Sequence, residues 1–402
     1  MATGDDLELV LETTAMAVGG AAIAREPSGR VVFVEGALSG ERVRARLTEV
    51  HRDYARARIS EVLRAASERV EPPCPELARG CGGCDLQHLA ADAQAPVKAV
   101  VVADALRRTA GVVEPSVRIA PCRPSSGYRT TVRAGVRDGR AGLRRRRSHE
   151  LVTVESCLVA HPLVEELLVD GFFGDAVEVT IRVGAATGER LVLVTPSASG
   201  VVVPDDVIVV GSEELRRGRQ VWIHEEVDGR RFRVSARSFF QSSREGAEAL
   251  VAAVREAACE LDPTGGAVVD AYAGVGLFAA TVGAGLDRPV LALEWSRSSV
   301  ADARHNLRDL PAQVLRTDVA AWEPQEASLV IADPSRAGLG RDAVEVLAGT
   351  GAPRLILVSC DVGALGRDVR LLIEAGFVLS DVVVVDLFPY THHVEVVCRF
   401  DR

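Results

Sequence analysis

Five short apolar runs, "AVVDAY", "PVLALE", "AQVLRT", "SLVIAD" and "RLILVS", recur between residues 267 and 359, each separated from the next by a segment of helical character. Runs this short and this rich in β-branched residues read as strands. Helical spacers between them forbid tight hairpins, because a helix between two strands is the connection that a parallel pair needs. The pattern therefore predicts an α/β class with a mainly parallel, doubly wound sheet over residues 237–402, closed by the runs "FVLSDVVVVD" and "VEVVCRF". Just upstream, Ala247, Leu250, Val251 and Val254 follow helical spacing, and Ser242 with Glu245 three residues on fits a capping box, so a helix is expected to begin there.

The remainder of the chain has a different texture. Residues 1–63 alternate β-branched runs with Gly and Ser turns, as in "GRVVFVEGALSGERVRARLTEV", which predicts a small antiparallel barrel. Residues 64–236 read as a mixed α+β central region that opens with a Pro- and Gly-rich loop, "EPPCPELARGCGGC". A length of 402 residues with 48% hydrophobic composition supports three such cores. No apolar run reaches the roughly 18 residues that a membrane span needs, and "MATGDDLELV" lacks the features of a signal peptide, so a cytoplasmic protein is expected. The net charge of −9 argues mildly against nucleic acid, yet Arg123, Arg129, Arg133, Arg137, Arg140 and Arg144 to Arg147 face one acid, Asp138, over the same stretch. That local basic field is compatible with an RNA contact or with a solvated surface. Nothing in the sequence calls for a protein partner.

The strand ends carry the chemistry. Asp270 closes the first run, and Gly274, Gly276 and Ala279 follow it in a G-x-G-x-x-A turn where backbone can approach a ligand. Glu294 closes the next run, 24 residues on, where a carboxylate can accept from both hydroxyls of a ribose. Asp318 is placed to receive an adenine amino group, and Asp333 opens a polar loop beside the same edge. Four successive acidic strand ends favour S-adenosylmethionine over a dinucleotide; acids that merely cap turns are the alternative.

Cys360 ends the run "RLILVS" just before a helical segment. A free cysteine is commonly a small buried hydrophobe, but the carboxyl end of a strand facing a helix N-terminus suits a thiolate. Cys74, Cys81 and Cys84 fall within eleven residues of one another beside glycines. Three such thiols with a distant fourth suit zinc or an iron–sulfur cluster, and spacing alone does not choose between them.

The ordered set "SFFQ", "DAYAGVGLF", "ADPSRAGL", "VSCDVGALGRD" and "FPYTHHVEVV" resembles the bacterial 5-methyluridine RNA methyltransferases, and the barrel before "CPELARGCGGCDLQH" resembles their TRAM domain. The resemblance implies a Rossmann-like domain acting on ribosomal RNA, 23S first, or transfer RNA. It implies S-adenosylmethionine contacts at Gln241, Tyr272, Glu294 and Asp333, with Leu277 and Asp318 as further contacts, Cys360 as nucleophile and Glu395 as the base that removes the carbon 5 proton. It also implies a 4Fe–4S cluster on Cys74, Cys81, Cys84 and Cys157, with Cys122 competing for the fourth place and zinc as the alternative metal. Ser335 in place of a second proline, and Asp361 and Val362 in place of Asn-Pro, depart from the pattern. A non-catalytic RNA-binding protein and a small-molecule methyltransferase are the rival readings; retention of both Cys360 and Glu395 speaks against the first, the barrel and the arginines against the second.

Overall fold

The computed structural model describes residues 8–121, 124–260 and 266–402; Cys122 lies outside them. Strands Glu8–Met16, Ala22–Arg25, Val31–Glu35, Arg42–Val50 and Tyr54–Arg64 close into a barrel. Val43, Ala45 and Leu47 point inward from the fourth strand, while Arg42 and Arg46 face water. The interior is filled largely by alanine and valine, Ala22, Ala24, Val32, Val34, Ala55 and Ala57 among them, small side chains that a narrow barrel can accommodate.

The middle of the chain folds into a six-stranded sheet in the order Val207–Gly211, Arg190–Thr195, Glu178–Val183, Thr131–Arg137, Arg140–Arg144 and Leu151–Val152. Helix Pro162–Asp170 covers it with Val164, Leu167 and Leu168.

The C-terminal sheet has eight strands, in the order Ala312–Arg316, Val290–Glu294, Ala267–Ala271, Ala327–Ala332, Arg354–Ser359, Glu395–Asp401, Val378–Val385 and Arg118–Ala120. The first five are mutually parallel, and Glu395–Asp401 runs antiparallel between its two neighbours. Side chains alternate between two apolar layers: Ile356 and Val358 join helix Arg244–Ala257 on one face, Leu355 and Leu357 join helices Gly340–Ala348 and Val362–Glu374 on the other. Burial on both faces explains why these strands read as unbroken apolar runs rather than alternating ones. Strand order reverses between Ala267–Ala271 and Ala327–Ala332, the place where such sheets open a crevice at their carboxyl ends.

Three details differ from the sequence reading. Strand Arg118–Ala120 and helix Ala91–Ala105, read as central, pack with the C-terminal sheet. The N-cap of helix Arg244–Ala257 is Ser243, whose Oγ accepts from Gly246 N at 3.0 Å, one residue later than the Ser242 expected from the capping-box pattern. The arginine run is not a free cationic strip: Arg146 and Arg147 both reach Glu35 of the barrel, Arg145 pairs with Glu150, and Arg133 pairs with Glu178 at 2.7 Å. Arg146 and Arg147 tie the central region to the barrel, and the other two pairs lie within the central region.

The cap assignment has a direct consequence. Ser243→Ala should lower unfolding stability by about 1 kcal/mol, the usual worth of an N-cap hydroxyl, while Ser242→Ala should fall within about 0.5 kcal/mol of the parent protein in the same denaturant titration.

Candidate active site

A cavity of about 530 Å³ opens at the crevice, lined by Gln241, Tyr272, Gly274, Leu277, Glu294, Asp333, Cys360 and Glu395 together. Residues drawn from six separate stretches of sequence thus meet around one cavity. The turn after Ala271 shapes it: Tyr272 has φ +64° and Gly274 φ +56°, left-handed backbone that only a glycine or a strained side-chain residue adopts. Glu294 is fixed from within the protein, Oε2 accepting from Gly274 N at 2.9 Å and Oε1 from Ser296 N at 2.6 Å. Each oxygen keeps a second lone pair for a ligand. Two expected contact residues lie elsewhere. Gly276 does not line the cavity; a side chain there would press on Leu307. Asp318 is exposed and caps the turn Val319–Ala321 through Ala320 N at 3.0 Å, which leaves it outside the lining although it still raises the Tyr272 hydroxyl from a distance.

Cys360 and Glu395 are brought together by strand register. Ser359 pairs with Val396, so the residue after one and the residue before the other stand side by side at the mouth of two adjacent strands. Asp361 caps helix Val362–Glu374, its Oδ1 accepting from Ala364 N at 2.7 Å. An aspartate therefore does here what asparagine does equally well, and the departure at this position keeps the local fold intact.

The electrostatics are set by crowded acids. Asp270 is fully buried with Oδ2 accepting from Ala279 N at 2.7 Å and Oδ1 unpartnered; burial, then Asp333 and Glu294, push it up to about 8. Burial pushes Asp333 up to about 7, and Glu395 is raised well above the ordinary carboxylate range by burial and then by Asp333. The Cys360 thiol is pushed up to about 12 by burial first and then by Glu395 and Asp333, with Arg336 pulling the other way. Arg336 was not singled out from the sequence; its place three residues after Asp333 was the available signal.

Comparison with known proteins decides the family. Residues 9–60 match the TRAM domain and residues 315–401 match the tRNA (Uracil-5-)-methyltransferase model. An uncharacterized RNA methyltransferase of Streptomyces avermitilis is 38% identical, with 97% of each chain covered. The 23S rRNA (uracil(1939)-C(5))-methyltransferase RlmD of Pseudomonas entomophila is 32% identical over 93% of this chain and 89% of that one. The chain belongs to the RNA uracil-5-methyltransferase family. The fold agrees: the crystal structure of Pyrococcus abyssi tRNA (uracil-54, C5)-methyltransferase in complex with S-adenosyl-L-homocysteine superimposes with a TM-score of 0.74 at 21% identity, covering 98% of this chain and all of that one.

Two further cavities complete this family member. One, of about 280 Å³, lies on the other side of Cys360 and Arg336, walled by the barrel turn Met16 to Gly20, by helix Ala91–Ala105 and by His392 and His393. The other, of about 350 Å³, is lined by Cys74, Cys81, Cys84 and Cys157 together. Cys84 is pushed up to about 12, by burial first, and all three other thiols add to the effect, which places them within electrostatic reach of one another. Gly82 is required beside them, since a side chain there would meet the Arg146 backbone. Among the described residues no three His, Cys, Asp or Glu groups converge closely enough to hold a single metal ion.

The sign of the Cys360 shift is testable. Glu395→Gln removes a neighbouring negative charge and should speed alkylation of Cys360 by iodoacetamide at pH 9 about three- to tenfold, whereas Arg336→Ala should slow it. Mass spectrometry of the Cys360 peptide separates this thiol from the exposed Cys259.

Proposed function

We propose that this protein transfers a methyl group from S-adenosylmethionine to carbon 5 of a uridine in ribosomal RNA, 23S first, or in transfer RNA, through a covalent bond between Cys360 and the uracil. The observation that carries this reading is the pairing of Cys360 with Glu395 on the wall of a cavity that also presents Gln241, Tyr272, Glu294 and Asp333. A volume of about 530 Å³ suits a nucleoside-sized cofactor. Glu294 is oriented for ribose hydroxyls, and the buried acids favour a cationic sulfonium and ammonium. When bound, S-adenosylmethionine supplies an electrophilic methyl.

Carbon 5 of uracil is too weak a nucleophile to take that methyl unaided. Addition of the Cys360 thiolate to carbon 6 pushes electron density onto carbon 5 and splits one hard step into easier ones. Arg336 favours the thiolate, while Glu395 and Asp333 are the carboxylates beside the departing proton. After transfer, Glu395 takes the carbon 5 proton and elimination frees Cys360. Its raised proton affinity is what a general base working near neutral pH requires.

The target uridine enters by the smaller cavity, against the barrel turn, with its reacting edge past Cys360 toward the larger cavity that Glu395 lines. In this reading residues 1–63 grip RNA, 64–236 carry the cysteines, and 237–402 perform the transfer. The four thiols line one cavity, as a 4Fe–4S cluster held by four thiolates requires, and zinc is the alternative metal. Bound there, the cluster would cross-link the loop of Cys74 to Cys84 to the segment of Cys157.

Two measurements test this. Cys360→Ala should abolish both methylation and any protein–RNA adduct, while Glu395→Gln should accumulate a methylated adduct that survives denaturing electrophoresis; an active Cys360→Ala enzyme overturns the mechanism. Protein purified without oxygen should contain about four iron and four sulfide per chain. Serine at Cys81 or Cys157 should remove them and serine at Cys122 should not. Stoichiometric zinc without iron overturns the choice of metal.

A further inference from the structure

The smaller cavity beside Cys360 carries an imidazole held far more firmly than packing requires. His392 lines this cavity, and Asp85 engages it twice: Oδ1 accepts the His392 backbone N–H at 2.8 Å and Oδ2 stands 2.5 Å from Nδ1. Asp85 is itself fixed, 15% exposed, with its own N–H donating to Tyr390 O at 3.0 Å. The barrel turn comes close to the ring stem without filling the space, since a Cβ added at Gly20 would stand 3.1 Å from His392 Cβ. His393 lies beside it, its ring tilted by 41° with centroids 4.2 Å apart. A carboxylate can only accept, so a hydrogen lies on Nδ1, and the neutral form of the ring keeps its lone pair on Nε2. An orienting carboxylate of this kind fixes the tautomer and aim of a histidine that has something to bind.

We propose that His392 is a substrate-contacting residue of the smaller cavity, accepting at Nε2 a hydrogen bond from the target nucleotide, and that Asp85 is the residue that positions it. This rests on the placement of the uridine argued above. A uridine offers two donors, the base N3–H and the ribose 2′-hydroxyl; a cytosine carries no hydrogen on N3. Recognition through N3–H makes His392 a determinant of uracil over cytosine, recognition through the hydroxyl makes it a determinant of RNA over DNA.

The test uses the full-length protein and unmodified ribosomal and transfer RNA transcripts. His392→Ala should lower kcat/KM for RNA about 10- to 100-fold, the range for loss of one buried hydrogen bond, with S-adenosylmethionine affinity and melting temperature unchanged. His392→Gln, which restores an acceptor, should recover part of the loss. Asp85→Ala should slow the reaction less, and combined with His392→Ala it should add only the cost of the lost His392 backbone contact, which is read separately as a lower melting temperature. A purely structural His392 would instead lower melting temperature and cofactor affinity together and would gain nothing from glutamine.

Two arms separate the donors. If the base N3–H is read, His392→Ala should form adducts with 5-fluorocytidine transcripts that the parent enzyme rejects. If the 2′-hydroxyl is read, 2′-deoxyuridine at the target should slow the parent enzyme and leave His392→Ala indifferent. A His392→Ala enzyme with parental kinetics, or one that discriminates as the parent does in both arms, overturns the proposal while the function stands. A parent enzyme that methylates no RNA uridine overturns the function and this proposal with it.

Discussion

Lys98 and Asp386 form an ion pair that water scarcely reaches: Nζ lies 2.6 Å from Oδ1, Nζ also donates to Phe388 O at 3.1 Å, and the two side chains are 3% and 10% exposed. Removing either partner would strand a buried charge at a cost of about 3–5 kcal/mol. The pair fixes helix Ala91–Ala105 to the segment that leads into Glu395. The same segment receives Gln94 Oε1 at Tyr390 N, Tyr128 Oη at Pro389 O, and the Asp85 side chain at His392. The carboxylate nearest the thiol is thus placed by residues that precede its own domain. The cysteine loop joins this brace, because Asp85 and Leu86, next to Cys84, both donate to Tyr390 O.

That brace explains how a sheet can tolerate so many acids at one edge. Burial raises the cost of ionising Asp270, Glu395 and Cys360, Asp333 adds to it for all three, and Glu395 adds to it for Cys360. Left to relax, such groups would turn toward water. Strand register and the packed segment 386–394 deny them that exit, so the repulsion is relieved by protons held on the acids or by a cation beside them. Arg336, on the loop between both cavities, supplies part of that relief permanently.

The sequence made some of this legible and hid the rest for identifiable reasons. Parallel strands and their acidic ends are local patterns, and the cavity gathers Gln241, Tyr272, Gly274, Leu277, Glu294, Asp333, Cys360 and Glu395 as the motifs implied. Asp318 caps a turn, and in sequence an acid that caps a turn and an acid that faces a ligand look alike. Two adjacent serines concealed which one caps the helix at 244; backbone angles, not residue type, assign the role to Ser243. The arginine run showed its charge but not its partners, since Glu35 lies over a hundred residues away in another layer. The Lys98–Asp386 tie spans 288 residues and leaves no periodic trace at all.

Strand Arg118–Ala120 is three residues long, yet it occupies the last place in the eight-stranded sheet, beside Val378–Val385. A polypeptide that began near residue 237 would leave Val382 to Val385 as an open β-branched border, a template for intermolecular pairing. The earlier part of the chain emerges from the ribosome first and waits for the sheet it will finish. Synthesis order therefore supplies the protective border before the vulnerable strand exists, and the chain cannot be divided at its apparent domain boundary without exposing that strand.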